Sequence, residues 1–443
     1  MEKLVRAVQM RTVSFSDAEK IDYREFRKFQ QFTEEAFPDL CGVCTVTSLN
    51  DMALLLVWEG KDPKKKPTGF VAHYDVVPAE NDHLWNHPPF NGVIEDGYVW
   101  GRGTLDLKGF LIALLEAGNQ LAKEGFVPHR SIYFLLGGDE ETAGLHGAGR
   151  ISALLKEKGV FFDALYDEGS IVASGMIPGV RKPAAVVGIA EKGQLTVLLK
   201  ARGADGHAAR PPKGTAIGVL SRAVAKIERN PFPLRLTPSV YQFVSCLAPL
   251  QAGIKRFLLS NIGLFKNFVM KQLARDSDLA ALLRTTQAPT VIRGGDADNV
   301  LPLHAEALIN CRLLPGDTVA GVLQRYRRLL KGMDVEVSVA PGTRSTEAIP
   351  ASDCNSRGFR NLSAALLSTY PDAVILPYIV TVATDSKHYT DIAGGIFRIM
   401  PFLIDSDELS RIHGINERIS VDNLHRGISH FKALLQGGDD NER

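Results

Sequence analysis

The sequence predicts an α/β protein: a larger domain around a central mixed sheet, interrupted by a smaller inserted α+β domain of the ferredoxin-like kind. Three observations lead there. Strands and helices alternate up to about residue 191, with acids and histidines where strands end. Near 191 the pattern switches to half-exposed alternating strands. From about 343 the first pattern resumes. Residues 1–191 and 343–443 are therefore assigned to one discontinuous domain and 192–342 to the insert. A chain of 443 residues is too long for one ordinary core.

The elements follow in order. "KIDYREFRKFQQFTEEA" spaces Tyr and Phe among charges as a helix does. "TVTSLN" and "MALLLVWEG" read as strands, and "TGFVAHYDVVP" as a buried strand running into a loop. An aromatic and proline-rich loop leads to "LKGFLIALLEAGNQLAKEG", a helix that ends at a glycine. "SIYFLLGG" is a strand from which the acid cluster Asp139, Glu140 and Glu141 hangs. "FDALYDEGS" is another, with acids at its tip. In open α/β sheets, ligands collect at such strand ends.

In the insert, "GQLTVLLKARG", "PTVIRGG", "HAEALINCRLL" and "VEVSVAPG" read as strands. "GTAIGVLSRAVAKIERN" and "TVAGVLQRYRRLLKG" read as helices. The resulting order is strand-helix-strand-strand-helix-strand. A further helical segment occupies about 231–289. Its stretch "IKRFLLSNIGLFKNFVMKQLARD" is read as packed on the protein rather than laid on a membrane surface. "PDAVILPYIV" and "VDNLHRGISHFKALLQ" close the chain as a strand and a helix.

Composition is that of a globular protein, with 45% hydrophobic and 23% charged residues. A net charge of +1 offers no broad electrostatic reason to expect nucleic acid or a membrane surface. No apolar run is long enough to span a membrane, and the N-terminal stretch lacks the apolar core of a secretory signal, so a cytoplasmic location is expected. Five cysteines, odd in number and scattered, argue against a disulfide framework. The "CGVC" of Cys41 and Cys44 lacks the second pair that a zinc ribbon needs.

The strand-end residues carry the chemistry: His73 and Asp75 in "HYD", Asp106 in "GRGTLDLKG", Glu140 and Glu141 in "GDEE", Asp167 and Glu168 in "YDEGS", and His413 in "RIHGINERIS". Two histidines with several carboxylates suit zinc, cobalt or manganese. His73 and Asp75, two apart on an extended chain, share a face, so Asp75 can orient the His73 imidazole. Each motif alone is weak; their recurrence at successive strand ends is the signal.

"HYDVVP", "GRGTLDLKG", "GDEE", "YDEG" and "HGINE", in this order and spacing, resemble the M20 family of dinuclear-zinc metallopeptidases and aminoacylases nearly end to end. "EKGQLTVLLKARG", "RTTQAPT", "NVLP", "RLLPGD", "TDSKHY" and "IHGINERISV" resemble its carboxypeptidase S and N-fatty-acyl-amino-acid synthase/hydrolase branch. The resemblance implies a zinc-peptidase-like catalytic domain and an inserted lid that serves in dimerisation. It implies two divalent ions per chain, zinc first, with cobalt or manganese as alternatives. His73 and Glu168 would hold one ion, Glu141 and His413 the other, and Asp106 would bridge them. Glu168 is preferred to Asp167 because the family's ligand is the acid just before the glycine. Asp75 would sit behind His73. Glu140 would be the general base toward a metal-activated water, and Asp139 a hydrogen-bonding residue.

His207 in "GADGHAARPP" would reach a partner's site across a lid-mediated homodimer. Asn299 and Arg312 would be substrate contacts from the lid, Arg312 matching a free carboxylate. Thr384 and Asp385 would lie on a substrate-pocket loop. His413 is preferred to the nearby His388 as ligand. The sequence departs from the family at Gly137-Gly138, where glycine-histidine is usual, at "DGHAA", and at Val382-Ala383. These changes bear on acyl-chain and side-chain preference and remove no ligand.

The expected activity is cleavage of the amide bond of an N-acyl amino acid, with apolar acyl or side chains. A carboxypeptidase or dipeptidase acting on short peptides is the alternative, and a metal-containing binding protein without turnover is the rival of another class.

Overall fold

The computed structural model describes residues 1–437. Among them, the largest sheet has eight strands in the spatial order Cys44–Asn50, Ala53–Trp58, Ile132–Gly137, Thr68–His73, Ala164–Ala173, Ile396–Ile404, Ala184–Glu191, Val374–Val380. The four neighbours from Ile132–Gly137 to Ile396–Ile404 run parallel. Their C-terminal ends therefore share one edge, and His73 pairs with Gly137 there, immediately before the acid cluster. Both central strands are buried on both faces, which explains why "TGFVAH" and "IYFLLG" are apolar runs and not alternations.

The helix Lys108–Lys123 packs along this sheet, buried on most of its circumference. The C-terminal helix Val421–Gln436 lies beside it, with Phe110 and Phe431 edge to face at 4.8 Å between centroids. Ser420 starts that last helix by accepting the Asn423 N–H at 3.1 Å.

A second sheet has four strands in the order Thr286–Gly294, His304–Leu313, Gly193–Arg202, Val335–Val339, with every neighbouring pair antiparallel. This is the strand order that the ferredoxin-like reading requires. His304–Leu313 alternates exposed or half-buried with buried positions, as a strand with one covered face must. The covered face meets the helices Ala216–Glu228 and Val319–Leu329 in a core that includes Val197, Leu220, Ile309 and Tyr326.

The helical segment folds as Pro238–Leu247, Gly253–Ser260, Ile262–Leu273 and Ser277–Leu283. It sits on the edge of the large sheet: Val240, Val244, Ile262 and Leu282 share a core with Ala190 and Ile379, and Phe243 faces Tyr378 at 6.2 Å. No helix among the described residues is long and apolar enough to cross a membrane.

Two local readings are refined. The acids Asp167 and Glu168 lie in the middle of the strand Ala164–Ala173, not at its tip. Its pairing with Ile396–Ile404 is irregular between Asp167 and Ile171, where Gly169 has a φ of 117°. Consecutive strand residues face opposite sides, so Asp167 and Glu168 meet different surroundings. At Cys41 and Cys44, burial pushes the thiols up to about 11 and about 12, the reverse of a reactive pair.

Candidate metal centre

His73 ends its strand almost fully buried. Its Nε2 lies 3.1 Å from Asp106 Oδ1, and its Nδ1 lies 3.1 Å from the Asp75 carbonyl oxygen and 3.3 Å from Asp75 Oδ1. Asp75 is itself buried and accepts from Ser14 Oγ at 2.7 Å, from the Glu140 N–H at 3.1 Å and from the Glu141 N–H at 3.2 Å. One carboxylate thus orients the imidazole and holds the turn that carries both glutamates. Asp139 holds the far side of that turn, accepting from the N–H groups of His146 at 2.8 Å and Gly147 at 2.7 Å.

Asp106 spreads its two oxygens. Oδ1 faces His73, and Oδ2 lies 3.0 Å from His413 Nε2. His413 Nε2 also lies 3.1 Å from Glu141 Oε1. Ligand atoms of Asp106, Glu141 and His413 all fall within 4.8 Å of one another. Glu168 lines the same cleft, whereas Asp167 is turned away and accepts the Ser386 N–H at 2.9 Å.

The electrostatics favour a cation. Burial raises the Glu140 and Glu168 carboxyls well above their usual range, and neighbouring acids add to the shift. Burial likewise raises Glu141, although His413 opposes it. Burial also works against the Asp106 anion, yet the two flanking imidazoles hold its carboxyl low. The Asp106 and Glu141 carboxylates raise His413 to about 10. Crowded, desolvated carboxylates with two imidazoles form a donor set that fits divalent zinc, cobalt or manganese. His388 has other business: its Nε2 donates to the Ala143 carbonyl at 2.9 Å, and burial lowers it to about 4.

Two residues that the sequence reading did not single out organise this centre. Glu417 is fully buried and meets Arg102 Nη1 at 2.6 Å. Its Oε1 accepts from the N–H groups of Gly103 at 3.0 Å, Leu105 at 2.9 Å and Asp106 at 3.2 Å. Arg102 Nη2 in turn donates to the His413 carbonyl at 3.1 Å. Both sit inside quoted motifs, the Arg of "GRG" and the Glu of "HGINE", and their shared presence was the available signal.

The centre opens into a cleft of about 1870 Å³. Asp106, Glu140, Glu141, Glu168 and His413 line it. Met176, Ile177, Phe243, Leu279, Leu282 and Tyr378 also line it, so apolar side chains of the helical segment share one cleft with the acids and form its apolar arm.

Of the remaining predicted residues, Asp385 is close enough to add its charge to the burial that raises Glu140, and the others are held by different partners. Thr384 and Asp385 are buried beneath their loop, which meets the cleft through Thr381, Val382, Ala383, Lys387 and His388. Thr384 Oγ1 donates to Glu191 Oε2 at 3.0 Å, and Glu191 pairs with the buried Arg398 at 3.1 Å. Asp385 lies against the backbone of Gly137 and Gly144: a Cβ at Gly137 would come within 2.7 Å of Asp385 Oδ2. The glycine at 137 is thus required by this contact. Arg312 Nη1 donates to Gln194 Oε1 at 3.4 Å, and Gln194 lines the cleft. His207, on the strand Gly206–His207, and Asn299, in the turn before Val300–Leu301, are both exposed, and the Ala208 N–H donates to the Asn299 carbonyl at 3.0 Å. Within one chain they do not line the cleft.

A model of peptidase family M20/M25/M40 matches residues 69–437. A probable carboxypeptidase S-like protein of Dictyostelium discoideum is 36% identical over 98% of this chain and 84% of its own length. An N-fatty-acyl-amino acid synthase/hydrolase of Bos taurus is 35% identical over 100% of this chain and 88% of its own. The crystal structure of an M20 family metallo-carboxypeptidase from Sulfolobus solfataricus superposes with a TM-score of 0.69 over 98% of both chains. At 17% identity, that last likeness is one of fold.

Proposed function

The chain belongs to peptidase family M20/M25/M40, and from that premise we propose that it hydrolyses the amide bond of N-acyl amino acids carrying an apolar acyl or side chain. The observation that carries this reading is the apolar arm of the cleft, where Phe243, Leu279 and Leu282 share one cleft with the acid cluster. Likeness to the Bos taurus N-fatty-acyl-amino acid synthase/hydrolase points the same way.

His73, Asp106 and Glu168 would hold one divalent ion and Glu141, His413 and Asp106 the second, zinc first, with cobalt or manganese as alternatives. Bound there, such ions supply Lewis-acid polarisation of the scissile carbonyl and lower the pKa of a nearby water. Glu140 takes the proton from the attacking water and returns it to the departing amide nitrogen. Asp75 keeps the His73 ring oriented and anchors the Glu140–Glu141 backbone, so base and ligand keep a fixed spacing. Arg312 would bind the free carboxylate of the amino-acid part through its guanidinium fork. Thr384 and Asp385 would shape the substrate loop from below.

Residues 192–342 would act as a lid and pair two chains into a homodimer, with His207 and Asn299 reaching the partner's cleft. His207 would then donate a hydrogen bond to the oxyanion. Their exposure and their distance from the cleft in one chain support this role.

A second reading, a carboxypeptidase acting on short peptides, is supported by likeness to the carboxypeptidase S-like relative. One panel separates the two: N-acetyl amino acids, long-chain N-acyl amino acids and apolar dipeptides, each with zinc, cobalt or manganese and with or without a chelator. Chelator-sensitive cleavage is expected, fastest on long-chain N-acyl amino acids. Cleavage of dipeptides alone selects the second reading. Failure on every substrate, with metal bound, overturns both.

A further inference from the structure

The helical segment presents a face that nothing among the described residues covers. Ile254 and Phe257 on Gly253–Ser260 are 68% and 54% exposed, and Leu264 and Phe268 on Ile262–Leu273 are 83% and 51% exposed. Other helices expose single apolar residues, such as Ile217 at 41% and Leu367 at 42%, whereas here four stand on two consecutive helices. Leu264 and Phe268 are one turn apart and so share a face, and Lys271 extends the same stripe. The opposite face, with Ile262, Val269 and Met270, is the one packed on the protein. Phe257 and Phe265 meet at 5.7 Å, so the two helices form one hairpin.

Charge singles out the occupant. Between Gln251 and Arg275 the chain carries Lys255, Arg256, Lys266, Lys271 and Arg275 and no acidic residue. The whole protein, by contrast, is nearly neutral at +1. Lys255 and Arg256 stand directly between the exposed Ile254 and Phe257. Exposed apolar side chains on a segment whose only charges are cationic fit the boundary of an anionic lipid layer: the apolar groups enter the acyl region and the cations meet the headgroups. A protein partner with a purely apolar surface would leave the five cations unmatched.

We infer that the hairpin 253–275 docks the protein on an anionic membrane surface. The flanks of the hairpin adjoin the cleft. Gln251 donates to the Pro178 carbonyl at 3.1 Å, and Met176, Ile177 and Pro178 line the apolar arm. At the other end, Leu279 lines it too, and Asp276 and Asp278 line the same cleft. Docking therefore sets the apolar arm beside the lipid layer, where long-chain amphiphiles are concentrated. This last link rests on the proposed substrate; the docking itself does not.

Flotation of the full chain with phosphatidylcholine vesicles, with and without about a third phosphatidylglycerol, tests the inference. The protein is expected to float with the anionic vesicles, and high salt should release most of it. The double variant Leu264→Glu/Phe268→Glu changes exposed side chains only. It should lose about tenfold or more of the bound fraction, while its melting temperature and its hydrolysis of a short N-acetyl substrate stay unchanged. Lys266→Gln/Lys271→Gln should weaken binding to the anionic vesicles specifically. Three results overturn the inference: wild-type protein that floats with neither vesicle, equal flotation of the wild type and the glutamate variant, or a wild type that self-associates through this face without lipid while the glutamate variant does not. The last would assign the face to a second copy of the chain.

Discussion

Arg102 and Glu417 meet at 2.6 Å across 315 residues of sequence, and between them they hold both strand-end loops that carry Asp106 and His413. Breaking a buried pair by removing one partner costs roughly 3–5 kcal/mol, so Glu417→Ala should unfold at clearly lower temperature. Glu417→Gln keeps the volume and one acceptor. It should fold, yet bind divalent metal about 10–100-fold more weakly, with activity returning at excess metal. Competition with a chromogenic chelator measures this. Unaltered affinity in Glu417→Gln would remove its positioning role.

Glu140 and Glu141 are neighbours with separable duties in the proposed mechanism. Glu140→Gln should lower kcat by about 10²–10⁴-fold and leave metal content intact. Glu141→Gln should instead lose metal, and high metal concentration should partly restore its rate. Elemental analysis beside kinetics distinguishes them. Wild-type turnover in Glu140→Gln would reject the base assignment.

If His207 serves the partner's cleft, mixed dimers give a sharp readout. His207→Ala and Glu140→Gln chains, each weakly active alone, should together recover about a quarter of wild-type activity. Half of the dimers are then hybrids, and one of their two sites is complete. No recovery after subunit exchange, or a fully active monomer, would confine His207 to its own chain or to none.

His430 offers a pH dependence away from the metal centre. It is buried within the C-terminal helix, and burial lowers its pKa to about 4. Above about pH 6.5 it is neutral whether the chain is folded or not, so it contributes nothing to the slope. As pH falls from about 6.5 to about 4, the unfolded chain takes up the proton first and the folded state loses stability, by up to about 3 kcal/mol. His430→Gln should flatten this part of the profile. Calorimetry at pH 7 and pH 4.5 on both proteins makes the comparison. Equal slopes would show that other groups dominate.

Much of the fold could be read from local pattern. Buried runs such as "FVAH" and "YFLLG" became the parallel strands, and the alternation in "HAEALINCRL" became a half-covered strand. The helices Ala148–Glu157 and Arg357–Thr369 and the strand Ile396–Ile404 went unread. The two helices do carry helical spacing of buried residues, such as Ile151 and Leu155 or Phe359, Leu362 and Leu366, so the pattern was present in the sequence. At the candidate site, acids and histidines marked the strand ends. The preference for Glu168 over Asp167 depended on family likeness, because adjacent carboxylates share the same chemistry.

By itself, the sequence determined most of the order of the elements and the changes of pattern near residues 191 and 343, where the strands pass from the larger sheet to the smaller one and back. Those follow from periods of two and 3.6 residues and from motif order, which are local properties. Tertiary structure alone decided the rest. The Ser386 N–H occupies Asp167, while Glu168 lines the cleft. Contact with Glu191 draws Thr384 beneath its loop. Packing on Ile379 buries one face of the helical hairpin and leaves Leu264 and Phe268 outside. In each case the outcome depends on a partner far along the chain, and spacing within a segment carries no record of which partner will arrive.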